Sequence, residues 1–171
     1  MITVYLVRHG QTEENLQRIF QGHLPGVLTA EGRQQAAGLR EYLRSLPLDA
    51  VISSDLQRVI DTVNLALDGW NLPWEKTQLL REIDWGSWTG LTIASVDTSC
   101  LPADAESKEM LYERAGRFVK YLQEHYDGKT VLVVGHGLIN RSVQAQIEGV
   151  GVEHLYDVPH MKNAEVRKFI V

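Results

Sequence analysis

An arginine, a histidine and a glycine follow one another where the first apolar run of the chain ends. The run from Ile2 to Val7 is aliphatic and β-branched, which predicts a buried strand, and Arg8, His9 and Gly10 come directly after it. A histidine at that end of a strand lies where open α/β sheets bind ligands, and it can act as a nucleophile or a base near neutral pH. The adjacent guanidinium is always charged and matches the geometry of a phosphate. The segment therefore indicates phosphoryl chemistry, although a lone histidine after a strand is more often a structural hydrogen-bonding group.

Two further segments place similar groups after predicted strands. Arg58 lies in the first turn of a helix that follows the apolar run 49–53, and His136 and Gly137 follow Thr130–Val134, which is typical of a central parallel strand. In a parallel sheet these points share one edge, where helix N-termini also offer free N–H groups to an anion. Taken alone, Arg58 would be a solvated helix residue and His136 a loop histidine. Their corresponding positions favour one common pocket.

Glu82 lies directly before the irregular segment 83–105, and of the carboxyl groups in the chain it is the one most suitably placed to reach this pocket from a loop. A carboxyl group beside a phosphoryl site can serve as a general acid and base. The alternative is a purely structural ion pair of Glu82 with Arg81 or a neighbouring lysine.

The remaining elements alternate between helices and strands. Thr29 predicts an N-cap for a helix that ends at Pro47, the capping-box pair Ser54 and Gln57 predicts a helix through about Leu67, and Asp104 predicts a cap for a helix that ends at Gly128. Short strands are predicted at 75–80, 155–158 and 165–171, and an irregular segment at 83–105. This alternation predicts an α/β three-layer sandwich with a mostly parallel central sheet flanked by helices.

The composition excludes several classes of protein. The chain has 171 residues, 44% hydrophobic and 23% charged, which predicts one soluble globular domain. Its 22 acidic against 17 basic residues argue against nucleic-acid or anionic-membrane partners. A single cysteine cannot form an internal disulfide, and neither a signal segment nor a bilayer-spanning run is visible, so a cytoplasmic location is expected. The oligomeric state does not follow from the sequence.

Several short motifs in a fixed order resemble the histidine phosphatase superfamily, in the branch that contains the cofactor-dependent phosphoglycerate mutases and related small-molecule phosphatases. The motifs are Leu6-Val-Arg-His-Gly-Gln-Thr12 with Asn15, Gln21-Gly22, Ser53-Ser-Asp-Leu-Gln-Arg58, Leu80-Arg-Glu82 and His136-Gly137, with a weaker echo at Asn163. Each motif is weak alone, but their order and spacing together are specific. The resemblance implies a phosphoglycerate mutase-like fold, with residues 1–171 as one domain and a short lid at about 83–105.

The resemblance also implies a role for each matching residue. His9 would attack phosphorus and carry the phosphoryl group, and Glu82 would protonate the leaving alkoxide and then activate water. The groups that would hold the phosphoryl oxygens are Arg8, Arg58, His136, Asn15 and the backbone N–H of Gly137. Gln21 and Gly22 match positions that border the substrate. No metal and no cofactor is implied, because cationic side chains supply the charge that a magnesium ion supplies elsewhere; the partner is a small phosphorylated metabolite.

Three departures from the family pattern narrow the activity. Thr89 stands where the family often has glutamate, and Gly135 replaces the usual Ser or Thr before the second histidine. The segment between Glu82 and the next helix is short compared with true mutases, which favours a phosphatase over a phosphoglycerate mutase. Residues 80–92 are similar to α-ribazole phosphatases, whose substrate carries a planar base. Trp85 and Trp88 would then stack on that base, or would pack into the core instead.

The main alternative of another class is a dinucleotide-binding module. Gly135-His136-Gly137 follows a strand and opens a helix, as a dinucleotide fingerprint does, but Asn140 stands where that fingerprint needs its last glycine. A zinc site is disfavoured, because the histidines lack the HExxH spacing and one cysteine cannot form a thiolate cluster.

Overall fold

A five-stranded sheet in the order β3-β2-β4-β1-β5 forms the centre of the protein. The computed structural model describes residues 1–171, and its strands are β1 Thr3–Arg8, β2 Ala50–Ser54, β3 Trp74–Thr77, β4 Thr130–Gly135 and β5 Val166–Ile170. The first four strands are mutually parallel, and β5 runs antiparallel to β1 at the edge. The predicted α/β class with a mostly parallel sheet is therefore confirmed.

Helices cover both faces of this sheet. They are α1 Glu13–Gln17, α2 Ala30–Ala37, α3 Arg40–Arg44, α4 Gln57–Leu67, α5 Lys108–His125 and α6 Gly137–Glu148. Alternate residues of β1 point to opposite faces, so Val4 and Leu6 pack with Phe118 of α5, whereas Tyr5 and Val7 pack with the α4 side. The result is the expected three layers. None of the helices has the length and apolar content needed to span a bilayer.

Some element boundaries differ from the sequence prediction. Thr29 does cap α2 by accepting the N–H of Gly32, but the helix expected to reach Pro47 is interrupted at Gly38 and Leu39, since glycine is a poor helix former. The strand predicted at 75–80 covers Trp74–Thr77 and continues as a 3₁₀ turn at Gln78–Leu80.

Two other predictions at the ends of elements are wrong. The cap of α5 is Ser107, which accepts the N–H of Met110, whereas Asp104 instead accepts the N–H of Ser87. The strand predicted at 155–158 belongs to a 3₁₀ helix, Val152–Asp157. Leu155 in this helix and Val158 directly after it are three residues apart. The helical turn places both side chains against the buried Ala145 of α6.

Gly10 is required by a close approach of two backbones. A Cβ added to Gly10 would lie 2.4 Å from the carbonyl oxygen of Gly32, and one added to Gly32 would lie 2.0 Å from the carbonyl oxygen of Gln11. The turn after β1 therefore packs backbone to backbone against the start of α2. This contact fixes the path of the chain beside His9.

Candidate active site

The strand register sets His9 and His136 side by side at the carboxyl edge of the sheet. Arg8 pairs with Gly135 in the parallel β1–β4 ladder, so the next residue of each strand is a histidine. Their ring centroids are 5.2 Å apart and the rings are inclined by 65°. Arg58, in the first turn of α4, reaches the same edge because β2 is the other neighbour of β4.

A cavity of about 120 Å³ opens at this edge. Of the residues that the sequence analysis selected, it is lined by Arg8, His9, Asn15, Gln21, Gly22, Arg58 and Glu82. Trp85 and the apolar side chains of Ile19, Phe20 and Ile93 complete its wall. His136 and Gly137 do not line the cavity, and His136 lies fully buried against the His9 ring.

His9 is held as a neutral imidazole with one nitrogen free. Its Nδ1 lies 2.7 Å from the carbonyl oxygen of Gly10, which can only accept, so Nδ1 carries the proton. Burial of the ring, followed by the charges of Arg58 and Arg8, holds the pKa of His9 well below its ordinary value of 6.5. The lone pair on Nε2 is consequently available at neutral pH, as a nucleophile requires.

Three buried nitrogens around His9 lack a hydrogen-bond partner. They are Nε of Arg8, Nε of Arg58 and Nδ1 of His136. Burial lowers the pKa of Arg58 to about 10, which still leaves its guanidinium charged at neutral pH. Nearly all buried polar groups in folded proteins are paired, so these three nitrogens are exceptions that lie together beside His9.

Ser54 holds one ring nitrogen of His136. The Ser54 hydroxyl accepts the N–H of Leu56 and forms a hydrogen bond of 2.8 Å with Nε2 of His136. Burial first, and then the nearby Arg58 charge, hold the pKa of His136 well below its ordinary value, which keeps the ring neutral. The other ring nitrogen, Nδ1, is buried without a partner. The capping box predicted for Ser54 and Gln57 is wrong, since Leu56 is the N-cap of α4.

The Glu82 carboxylate binds the N-terminus of α6. Its two oxygens accept the backbone N–H groups of Ile83, Leu138 and Ile139, each at 3.0 Å. The helix has no side-chain cap of its own at His136, and a carboxylate there is stabilised by the helix dipole. The alternative of an ion pair with Arg81 is wrong, because both ends of the Arg81 guanidinium bind Asp55, at 2.8 and 2.7 Å.

The backbone that presents Glu82 is itself tied down by distant residues. His23 Nε2, at 2.9 Å, and the Arg114 guanidinium, at 3.3 Å, both donate to the carbonyl oxygen of Glu82. Arg114 also donates to the carbonyl of Arg81 at 2.6 Å and forms a two-point ion pair with Glu106. The carboxylate is therefore held by a rigid segment, although that segment contains no regular helix or strand.

Two side-chain amides present their NH₂ groups without a protein partner. The Asn15 carbonyl oxygen accepts the N–H of Thr12 at 3.0 Å, in a capping box at the start of α1, and the NH₂ of Asn163 at 3.4 Å. The Gln21 carbonyl oxygen accepts the Thr12 hydroxyl at 3.0 Å. Both amides line the cavity, and their oxygens are already occupied. Each NH₂ group is therefore still free to donate a hydrogen bond.

Trp85 and Trp88 differ in their relation to the cavity. Trp85 lines it, whereas Trp88 does not, and both rings pack on Phe20 with centroids 4.8 and 5.1 Å away. Trp85 also packs against the main core, which agrees with the second of its two predicted roles, whereas stacking on a base stays a prediction. Beyond Trp85 lies a second cavity of about 320 Å³, whose walls include Trp85, Trp88, Leu101, Lys108 and Tyr156.

Gly135, where the family pattern has Ser or Thr, leaves room for the side chain of Asn140. A Cβ at Gly135 would lie 2.4 Å from the Asn140 carbonyl oxygen, which is buried without a partner. The Asn140 NH₂ donates to the carbonyl of Val7 at 3.0 Å and so ties α6 to the end of β1. A larger residue at position 135 would therefore require the Asn140 side chain to move.

Comparison with known proteins identifies the family. The model of the histidine phosphatase superfamily, branch 1, matches residues 4–171. This chain belongs to the histidine phosphatase superfamily. An adenosylcobalamin/alpha-ribazole phosphatase of Salmonella typhimurium is 31% identical over 147 residues, which cover 78% of this chain and 73% of the relative. A probable phosphoglycerate mutase GpmB of Salmonella arizonae is 33% identical over 153 residues, covering 81% and 71%.

The fold of the superfamily extends over the whole chain. The solved structure of Bacillus stearothermophilus YhfR superposes with a TM-score of 0.93 at 29% identity and covers 100% of this chain and 92% of that protein. The family assignment supports phosphatase activity and agrees with the motifs recognised in the sequence.

The two buried neutral histidines make the folded state sensitive to acid. Unfolded histidines gain protons below their ordinary pKa of 6.5, whereas His9 and His136 stay neutral because their folded pKa values are lowered. The unfolded chain then binds more protons, so the free energy of unfolding falls as pH drops below 6.5, by up to about 1.4 kcal/mol per pH unit for each histidine.

Urea denaturation at several pH values between about 5 and about 7.5 measures this slope. His136→Gln is expected to flatten it, since one titrating group is removed. The exposed His125 supplies the control, because His125→Gln should leave the slope unchanged. An equal slope in the wild type and in His136→Gln would contradict the assignment of a buried neutral ring.

Proposed function

We propose that this phosphatase hydrolyses a small phosphorylated metabolite through a phosphohistidine on His9, without a metal ion. The observation that carries the proposal is the unprotonated imidazole nitrogen surrounded by three unpaired buried nitrogens, on Arg8, Arg58 and His136. Two arginines and several oriented N–H groups supply the positive charge that a phosphoryl group needs. The cavity of about 120 Å³ is suited to the phosphoryl group, so the alcohol part of the substrate extends beyond it.

The reaction consists of two displacements on phosphorus. In the first, which begins with Glu82 protonated, His9 Nε2 forms a bond to phosphorus while the ester P–O bond breaks, and the leaving alkoxide takes the proton of Glu82, which becomes a carboxylate. In the second, Glu82 accepts a proton from water, the resulting oxygen bonds to phosphorus, and the P–N bond breaks. Inorganic phosphate leaves, and His9 and Glu82 return to their starting states.

A phosphoglycerate mutase is the second candidate, supported by the relative of that name. A mutase would pass the phosphoryl group from His9 to a second alcohol instead of to water. The short segment between Glu82 and α5 favours hydrolysis, since it adds few basic groups for a second phosphate. A dinucleotide-binding role is disfavoured, because Glu82 already occupies the N–H groups of Leu138 and Ile139 at the start of α6.

For the substrate we propose α-ribazole 5'-phosphate. A relative of that activity supports this choice, as does the aromatic cavity beyond Trp85, with Trp88 and Tyr156 in its walls. Its volume of about 320 Å³ offers room for a planar base, and aromatic walls favour stacking. Lys108, which also lines this cavity, offers a donor to polar groups of the base or ribose.

The test is kcat/KM for α-ribazole phosphate beside 3-phosphoglycerate and simple sugar phosphates, measured in EDTA. We expect α-ribazole phosphate to be preferred by about 10-fold or more, and Trp88→Ala to reduce that preference through lost stacking. Trp70→Ala is the control, since Trp70 packs in the core layer on the other side of the sheet. No preference over sugar phosphates would remove the substrate assignment alone. Loss of all activity in EDTA would contradict metal independence, and rapid interconversion of phosphoglycerates would favour the mutase.

A further inference from the structure

An exposed histidine from the other end of the chain touches the proposed phosphate-binding arginine. His160 lies in the segment between the last 3₁₀ helix and β5, and its Nε2 is 3.1 Å from Nη1 of Arg8. The same Arg8 nitrogen donates to the carbonyl oxygen of Met161 at 2.8 Å. Two acceptors of one short segment therefore aim the Arg8 guanidinium. No sequence signal pointed to this contact, because 152 positions separate the two residues.

The backbone that carries His160 is fixed by two other arginines. Arg141 donates to the carbonyl oxygens of Tyr156 and Val158, both at 2.7 Å. Arg167 donates to those of Pro159 and His160, at 2.8 and 3.0 Å. With these carbonyls bound, the ring of His160 has a defined position while it stays accessible to protons from solvent.

The contact with Arg8 requires a neutral His160. A guanidinium nitrogen can only donate, so Nε2 of His160 must be the acceptor and the ring proton must lie on Nδ1. The ring also packs beside Gly137, where a Cβ would lie 3.3 Å from its Cε1. A second proton on His160 would remove the acceptor and set a positive charge next to Arg8.

We propose that His160 is a positioning residue that orients Arg8 for phosphate binding when neutral and releases it when protonated. The inference rests on the proposed function only in taking Arg8 as a ligand of the phosphoryl group. Protonation weakens the site because Nη1 of Arg8 then keeps only the Met161 carbonyl as an acceptor and the imidazolium repels the guanidinium. The direction of Arg8 is less well fixed, and a charged donor is worth most when it is held in place.

The charges around His160 determine where this change occurs. Partial burial lowers the pKa of His160, the positive charges of Arg8, Arg141 and Arg167 lower it further, and Glu82 opposes them. His160 is therefore neutral at pH 7 and gains its proton below its ordinary value of 6.5. Phosphate binding should accordingly weaken as pH falls through that region, whereas added positive charge alone would strengthen it.

Sulfate inhibition tests the proposal, because sulfate remains a dianion across the range and needs no chemistry by His9. The inhibition constant is measured against p-nitrophenyl phosphate from about pH 5 to about pH 8. In the wild type we expect sulfate binding to weaken at the acid end. His160→Ala should weaken it by about 3- to 10-fold at pH 7, the value of one lost hydrogen bond, with a matching fall in kcat/KM.

His160→Gln is the decisive variant. The glutamine carbonyl can accept from Arg8 but cannot gain a proton, so binding at pH 7 should return to the wild-type value and the loss at acid pH should vanish. His154→Gln, an exposed histidine paired with Asp157, is the control and should behave as the wild type. Equal sulfate constants in the wild type and His160→Ala would overturn the proposal.

Another result would also overturn it. Tighter sulfate binding at acid pH that disappears in His160→Gln would make His160 a direct anion ligand. Thermal shifts induced by sulfate report the same binding without catalysis. Failure of this inference is therefore separable from failure of the phosphohistidine mechanism.

Discussion

His9→Ala is expected to lower kcat by at least about 10⁴-fold, because the variant loses the atom that bonds to phosphorus. In the wild type, brief incubation with a phosphate ester radiolabelled at phosphorus should leave a label on the protein. A phosphohistidine is labile in acid and stable in base, which separates it from a phosphoserine. Denaturing gels after acid or base treatment measure this difference, and the label should be absent in His9→Ala.

His136 is the matched alternative for this experiment. It lies 5.2 Å from His9, is equally buried and also has one unpaired nitrogen. Its other nitrogen is bound to the Ser54 hydroxyl, and the proposed mechanism assigns His136 to the phosphoryl oxygens and not to attack on phosphorus. His136→Ala should therefore react slowly yet still become labelled. A label that survives in His9→Ala and is lost in His136→Ala would contradict the assignment.

Sulfate binding checks that His9→Ala keeps the rest of the site. The alanine removes the imidazole but leaves Arg8 and Arg58 in place, so sulfate should still raise the melting temperature. Loss of both sulfate binding and labelling would indicate a collapsed site. The labelling experiment would then be repeated with the more conservative variant His9→Asn. His125→Ala, on the outer face of α5, should retain full activity and labelling.

Glu82→Gln should slow the hydrolysis of alkyl phosphates far more than that of p-nitrophenyl phosphate in the phosphorylation step. An alkoxide needs a proton as it leaves, and general-acid catalysis is worth about 10²- to 10⁴-fold, whereas p-nitrophenolate leaves with little help. For p-nitrophenyl phosphate we expect the burst rate to fall by less than about 10-fold. Rapid-quench measurement of the burst rate for both substrates tests the difference.

The structure requires a specific control for this variant. The Glu82 carboxylate accepts the N–H groups of Ile83, Leu138 and Ile139, and glutamine would turn an NH₂ donor toward one of them. The start of α6 would then be destabilised, by about 1 to 3 kcal/mol for an unpaired group. The ratio of the two burst rates within one variant cancels this structural effect, since both substrates meet the same altered site.

The second step supplies an independent readout. Glu82 also activates water, so the phosphohistidine should accumulate in Glu82→Gln and the burst amplitude should approach one per site. Equal losses in the two burst rates would show that Glu82 is not the acid. A small amplitude with both substrates would show that it is not the base either.

The residues able to do the chemistry can be selected from the amino-acid sequence alone. Three runs of β-branched residues precede Arg8-His9-Gly10, Arg58 and His136. These runs form parallel strands, and parallel strands all end at the same edge of the sheet. Local signals also sufficed for the strands β1 and β4 and for the Thr29 cap, because period and capping depend on neighbours in the chain. The family resemblance followed from the same short segments.

The contacts that hold those residues in place are visible only once the chain is folded. The capping of α6 by Glu82, the hydrogen bond between Ser54 and His136, and the contact of His160 with Arg8 join residues far apart in the chain. Periodicity carries no information about such pairs, since hydrogen bonds between side chains depend on distances that arise after the layers pack. The segment around Leu155 is a 3₁₀ helix and not a strand, because Leu155 and Val158 pack on Ala145 of α6. A local sequence pattern does not show which distant element a segment will pack against.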